Sequence, residues 1–235
     1  MIDDNAFSKT WCELFLRNMP DVETRRDTEF IQRHMPRPEY RRLLDVACGV
    51  GRHACALAEA GYDVLGIDRS PALIAEATRS TDRARFEVVD MCQVSRLDGA
   101  FDGILSLWHS FGFHDAATNQ AVLEQFGAKL RPRGRAILDV YNRDHAIHRP
   151  RVEQTRRADV SIETRRSWLG PRLTLELWYD GVLGDRFDWH LYSPDELRAA
   201  CAAAGFDILL ACAHFDESVP ASSEWARMQL LLERR

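Results

Sequence analysis

The chain has 235 residues, 46% of them hydrophobic, and a formal net charge of −5. That composition supports one sizeable core, and the acidic balance disfavours general attraction to nucleic acid. No run approaches the ~18 apolar residues of a membrane helix, and the start MIDDNAFSKTW lacks the order of a secretion signal, so a cytoplasmic protein is expected.

Residues 7–34 read as helical: Phe7, Trp11, Leu14 and Phe15 share one stripe, and Phe30 and Ile31 lie on a second after Pro20. Pro36 and Pro38 close that region. A regular alternation follows. RRLLDVAC is a strand, RHACALAEAG a helix stopped by Gly61, and YDVLGID a strand. SPALIAEATRS is a helix with Ser70 as N-cap and Pro71 in the first turn. ARFEVVDM and FDGILSLW are strands, NQAVLEQFGAKL a helix, RPRG a turn and RAILDVY a strand. Strands alternating with helices in this way imply an α/β doubly wound, mainly parallel sheet.

After Asn142 the pattern becomes antiparallel ribbon, with turns at Leu169-Gly170-Pro171 and Asp180-Gly181. SPDELRAACAAAG then reads as a capped helix, with FDILLACAHF and EWARMQLLLER as closing strands. The expected organisation is one domain over 1–235. It has a helical arm or lid at 1–40, a cofactor-binding core at 41–142, a β insertion at 146–190 and a helix with a strand pair at 191–235. Cys12, Cys48, Cys55, Cys92, Cys201 and Cys212 make no CxxC pair and read as reduced thiols, with no metal site expected.

The turn in LLDVACGVGRH carries Gly49, Gly51 and Ala54 in G-x-G-x-x-A spacing, and Asp68 follows at the distance of a ribose-binding acid. Such a turn suits a dinucleotide and a sulfonium nucleoside alike. Asp45, at the strand end beneath it, favours the second, because a carboxylate there would repel a pyrophosphate and attract an ammonium or sulfonium. The chain also lacks a second βαβαβ half.

With GIDRS, VVDM, FDGI, RPRG and AAAGF following in order, the chain resembles the class I S-adenosylmethionine-dependent methyltransferases; SLWHSFGF and DVYNRD resemble a bacterial small-molecule branch. The resemblance implies strand order 3-2-1-4-5-7-6, with the seventh strand antiparallel. It implies that Asp45, Ala47, Cys48, Gly49 and Gly51 wrap the methionine part and that Asp68 accepts the ribose hydroxyls. Arg69 would border the adenine, Asp90 would meet its amino group and Met91 would pack on the ring. Leu107 and Trp108 would lie beside the sulfonium. Apart from the resemblance, the arm with Trp11 and Phe15 reads either as a lid over the cofactor or as packing on the sheet. The chain departs from the family in Arg131-Pro132-Arg133-Gly134, where R-P-G-G is frequent, and in His190, where an arginine precedes Leu-Tyr-Ser. Leu107-Trp108-His109-Ser110 replaces the Pro-Pro run of base-amine and glutamine methylating enzymes, which weighs against such acceptors.

Methyl transfer needs an acceptor lone pair ~3–3.5 Å from the methyl, opposite sulfur. His109 is the first choice for a base or orienting group, with Tyr141 and His190 beside it and Ser110, His114, Asn142, His145 and Tyr192 as further candidates. The expected partner is a small-molecule acceptor of N or O type, with no membrane and with room for a homodimer. Competing readings are an RNA or protein methyltransferase using the arginines between Arg149 and Arg172, an NAD-dependent oxidoreductase, and a cofactor-binding protein without catalysis. The ribbon aromatics Trp168, Trp178, Tyr179, Phe187 and Trp189 either clasp the acceptor or pack the ribbon down.

Overall fold

The computed structural model describes residues 5–235, so the first four residues of the acidic start lie outside the described part. Alternating apolar strands and amphipathic helices build a parallel run of β1 (Arg42–Val46), β2 (Asp63–Asp68), β3 (Arg85–Val88), β4 (Phe101–Ser106) and β5 (Leu130–Tyr141). Against it pack α2 (Asp21–His34), α3 (Arg52–Glu59), α4 (Pro71–Ser80), α5 (Ala116–Lys129) and α7 (Pro194–Ala203). Local chemistry sets the helix starts. The Ser70 hydroxyl accepts from Leu73 N, Asp115 caps α5 through Thr118 N, and Ser193 with Glu196 forms a reciprocal capping box on α7.

β10 (Phe206–Ala213), β11 (Asp216–Pro220) and β12 (Arg227–Arg234) complete an eight-stranded sheet of order β11-β10-β12-β5-β4-β1-β2-β3. Without β11 this is the 3-2-1-4-5-7-6 order, and β12 runs antiparallel to both β5 and β10. β11 is an added edge strand that the sequence pattern does not predict. RPRG is not a free turn. It is an irregularity inside β5, where the pairing with β4 jumps from Phe101↔Leu130 to Gly103↔Arg135 and Arg133 takes φ +62°.

One face of the sheet buries Leu44, Phe101, Phe126 and Phe206; the other buries Phe30, Ile31, Met35 and Leu57. Beyond β5, the short α6 (Arg143–Ala146) leads into a second, antiparallel sheet of β6 (Val152–Arg157), β7 (Val160–Leu169), β8 (Arg172–Tyr179) and β9 (Val182–His190). β6 is a further strand the pattern misses. The N-terminal arm is a short α1 (Lys9–Trp11) running into a π turn at Cys12–Leu16. It packs on the second sheet through Leu14, Phe187 and Trp189. Among the described residues no helix is long and apolar enough to cross a membrane.

Candidate functional site

A cavity of about 670 Å³ opens at the carboxyl ends of β1, β2 and β4, where ligands bind in open α/β sheets. Its floor is the turn after β1. Ala47 and Gly49 take φ +58° and +57°, and Gly51 takes φ +78° at the start of α3. Gly51 does not line the cavity; a Cβ there would meet the Phe86 ring at 2.7 Å, so it lets α3 approach β3. Ala47, Cys48 and Gly49 do line it, as do Asp45, Asp68, Arg69, Asp90, Met91, Leu107 and Trp11.

Asp45 is buried, and its Oδ2 has no hydrogen-bond partner. Burial pushes its pKa up to about 7, with Arg52 opposing the shift and Asp68 adding to it. A buried carboxylate oxygen without a partner, on a residue that lines the cavity, calls for a cation. Asp68 accepts from Gly49 N (3.0 Å) and Ser70 N (2.9 Å), which ties the glycine turn to α4 and leaves lone pairs for a further donor. Asp90 accepts from Cys92 N at 2.8 Å. These features fit a cationic, phosphate-free nucleoside: an unpaired anion under the turn, a second acid at the end of β2 and a third after β3.

Arg52, His53 and Phe113 are among the cavity residues to which the sequence pattern assigns no role. Arg52 opens α3; one of its terminal nitrogens donates to Thr24 Oγ1 (2.8 Å), while the other is buried without a hydrogen bond, 3.8 Å from Asp27. His53 follows, 3.1 Å from the buried Asp27, and this contact clamps α2 to α3. The position of Arg52 directly after the glycine turn was the available signal.

Trp108 and His109 both adopt left-handed backbone at the end of β4, φ +59° and +63°. Asp139 holds them there: its side chain accepts from Trp108 N (2.8 Å) and its carbonyl from His109 N (3.0 Å). Burial alone would raise the Asp139 pKa, but Arg227 binds the same carboxylate and Gln229 donates to it, and together they hold it down at about 2. The Trp108 ring has Arg52 at 5.1 Å and Arg227 at 5.8 Å.

His109, Tyr141 and His190 do not line the cavity. His109 is stacked on Tyr141 with centroids 3.5 Å apart, and burial with Arg227 pushes its pKa down to about 3. The His190 backbone donates to Gly112 O (2.8 Å), and its ring leans on Tyr192. A base on the cavity wall is therefore not supplied by this trio. Asn142 and His145 are tied to the Ser222–Ser223 loop and, like Tyr192, do not line the cavity; Ser110 and His114 do.

The wall opposite β1 is aromatic. Phe7 stacks near Trp11 (4.3 Å) and Phe187 (5.3 Å), and Phe113 lies 5.0 Å from Trp189. Phe7, Trp11 and Phe113 face the cavity, whereas none of the five ribbon aromatics does. Tyr179, Phe187 and Trp189 pack the second sheet down, and Trp178 lies under Arg165 on another face. The arm is thus both packed on the second sheet and part of the cavity wall. Of the seven arginines from Arg149 to Arg172, Arg149 and Arg166 are engaged with Glu153, Arg165 with Glu163, Arg172 with Asp188, and Arg157 with the Leu14 carbonyl.

Residues 43–134 match the methyltransferase-domain family. A glycine/sarcosine N-methyltransferase of Halorhodospira halochloris is 30% identical over 131 residues, 53% of this chain and 48% of that protein. The chain spans about half the length of the curated relatives it matches. The sugar N-methyltransferase KedS8 of Streptoalloteichus superposes with a TM-score of 0.77 at 22% identity, covering 100% of this chain and 96% of that one. An S-adenosylmethionine-dependent methyltransferase of Clostridium acetobutylicum gives 0.77 at 16% identity, covering 96% of each chain. At these identities the structural likeness speaks for the fold.

Proposed function

We infer that this chain, whose residues 43–134 match the methyltransferase-domain family, is an S-adenosylmethionine-dependent methyltransferase that moves a methyl group to a small-molecule acceptor, in particular a neutral amine. The observation that carries the reading is the unpartnered Asp45 carboxylate oxygen beneath the glycine turn. It offers a counter-charge to the donor's ammonium, and Arg52, whose charge acts on Asp45 and one of whose nitrogens makes no hydrogen bond, offers one to the carboxylate. A pyrophosphate at that place would face Asp45 beneath the turn, which counts against a nicotinamide dinucleotide. Asp68 would take the ribose hydroxyls, and Asp90 with Met91 the adenine.

When bound, S-adenosylmethionine supplies a methyl carbon activated by positive sulfur. Leu107 and Trp108 hold that end of the cavity, and Phe7, Trp11 and Phe113 exclude water and bind the apolar body of the acceptor. An amine attacks through its own lone pair and loses its proton afterwards to solvent, so it needs no base; a hydroxyl acceptor would. The buried, neutral His109 suits the amine. The sugar and glycine/sarcosine N-methyltransferases among the similar proteins act on acceptors of this kind, as their names state. Pairing of Arg149, Arg157, Arg165, Arg166 and Arg172 with acids and backbone counts against a free basic face for an RNA substrate. Free thiols at all six cysteines accord with a reducing, cytoplasmic setting.

Calorimetry with S-adenosylmethionine and NAD, followed by mass spectrometry of reactions with amino sugars, small amino acids and matched alcohols, tests the reading. Binding of the methyl donor alone and a mass gain of one methyl on an amine are expected. Preference for NAD, or methylation of the alcohols with the amines untouched, would overturn it.

A further inference from the structure

We infer that Asp90, Cys92 and His114 form a site for a borderline-soft divalent cation such as zinc at the adenine end of the cavity, and that filling it excludes the methyl donor. One ligand atom from each residue lies within 4.8 Å of the others, and Cys92 Sγ is 3.2 Å from His114 Nε2. Tetrahedral zinc, with Zn–S of ~2.3 Å and Zn–N or Zn–O of ~2.0–2.2 Å, places its donors roughly 3.3–3.6 Å apart. The cluster therefore closes on an ion by side-chain adjustments of about an ångström.

The frame behind the donors is fixed. Gln125 donates to the Cys92 carbonyl (3.1 Å), Asn119 and Arg172 to the His114 carbonyl (3.0 and 3.2 Å), and Cys92 N to Asp90 (2.8 Å). A thiolate, an imidazole and a carboxylate select zinc over magnesium or calcium. The two anionic donors balance its charge, and the thiol proton leaves to solvent on binding. Asp90 and His114 both border the cavity, so the fourth position opens into it. The exclusion, unlike the site, rests on the proposed role of Asp90 toward the adenine amino group: one carboxylate cannot serve both.

The test uses the full chain stripped with a chelator. Zinc is titrated by calorimetry and by competition with a chromophoric chelator, and cobalt(II) is added for its sulfur-to-metal charge-transfer absorption. We expect one equivalent of zinc, at least tenfold weaker binding in Cys92→Ser and in His114→Asn, and loss of the cobalt–sulfur band in Cys92→Ser. Unchanged thermal melting would show that both variants fold. Absence of stoichiometric uptake, or uptake the two substitutions leave intact, overturns the site while donor binding and turnover stand. S-adenosylmethionine should weaken zinc binding competitively; zinc uptake indifferent to the donor overturns the exclusion and removes adenine from Asp90.

Discussion

Asp45 and Asp68 lie under the same turn, and their surroundings set them different tasks. Asp45 has a pKa raised to about 7, mainly by burial. A carboxyl raised in the folded state favours the protonated form, so its contribution to stability is full below its unfolded value of ~4 and is lost as pH rises through about 7. Binding an ammonium demands the ionised form. The dissociation constant for S-adenosylmethionine should therefore fall about tenfold between roughly pH 5.5 and 7, and Asp45→Asn should flatten that slope; calorimetry over this range checks both. Asp68 already accepts two backbone N–H bonds, so Asp68→Ala loosens the turn and removes the acceptor proposed for the ribose together. Donor binding should weaken ten- to a hundredfold, in line with ~1.5–3 kcal/mol for a charge-assisted hydrogen bond. His109→Phe keeps the stack on Tyr141 and removes a buried ring nitrogen with no partner. It should leave the pH profile of kcat unchanged, and loss of an acidic limb would restore His109 as a base. The acids and glycines of the turn are legible in the sequence because their chemistry is local. Arg52 against Asp45, and Cys92 against His114 twenty-two positions on, are not, since chain folding alone brings them together.

The arm is held by few contacts of high quality. Ser8 donates through N (2.8 Å) and Oγ (2.7 Å) to the buried Asp185, which also accepts from the Tyr179 hydroxyl (2.7 Å). Arg17 grips Glu76 on α4 through two nitrogens (3.0 and 2.6 Å), and Arg69 reaches the Asn5 carbonyl. The arm thus bridges the second sheet and the cofactor core across the cavity mouth. Asp185→Ala frees Ser8 and leaves the Tyr179 hydroxyl buried without its acceptor, a cost of about 1–3 kcal/mol. Hydrogen exchange should quicken over 8–16 while β1, β4 and β5 keep their protection, and donor affinity should drop several-fold. Unchanged exchange in the arm would show that aromatic packing alone holds it. The capped helices and the apolar strands are readable because Ser70, Ser193 and the runs of Val, Ile and Leu announce them. β6 and β11 are not: TRR and DES within them are exposed and polar, and only pairing to β7 and β10 makes them strands. RPRG misleads for the converse reason, since turn-forming residues were absorbed as a bulge in a long strand.

At the scale of the molecule, the cavity is where the three parts meet. The core supplies the glycine turn and the acids, the arm supplies Phe7 and Trp11, and β4 with the segment after it supplies Trp108 and Phe113, the last packed on Trp189 of the second sheet. A ligand bound there contacts pieces that must all separate when the chain unfolds, so its binding energy is added to global stability. At a free concentration a hundred times the dissociation constant, that gain is ~2.7 kcal/mol. For a chain of this size each kcal/mol raises Tm by ~2–4 °C, giving an upward shift of roughly 5–11 °C with S-adenosylmethionine. NAD at the same concentration should give none, because its pyrophosphate would meet the Asp45 carboxylate beneath the turn. Asp45→Asn reverses part of that discrimination: removing the anion lowers the shift from the sulfonium donor and leaves the uncharged body of the nucleoside to bind. The set of three melting curves, wild type with each ligand and Asp45→Asn with the donor, separates a charge-read cavity from one that accepts any nucleotide; equal shifts across all three would refute the role given to Asp45.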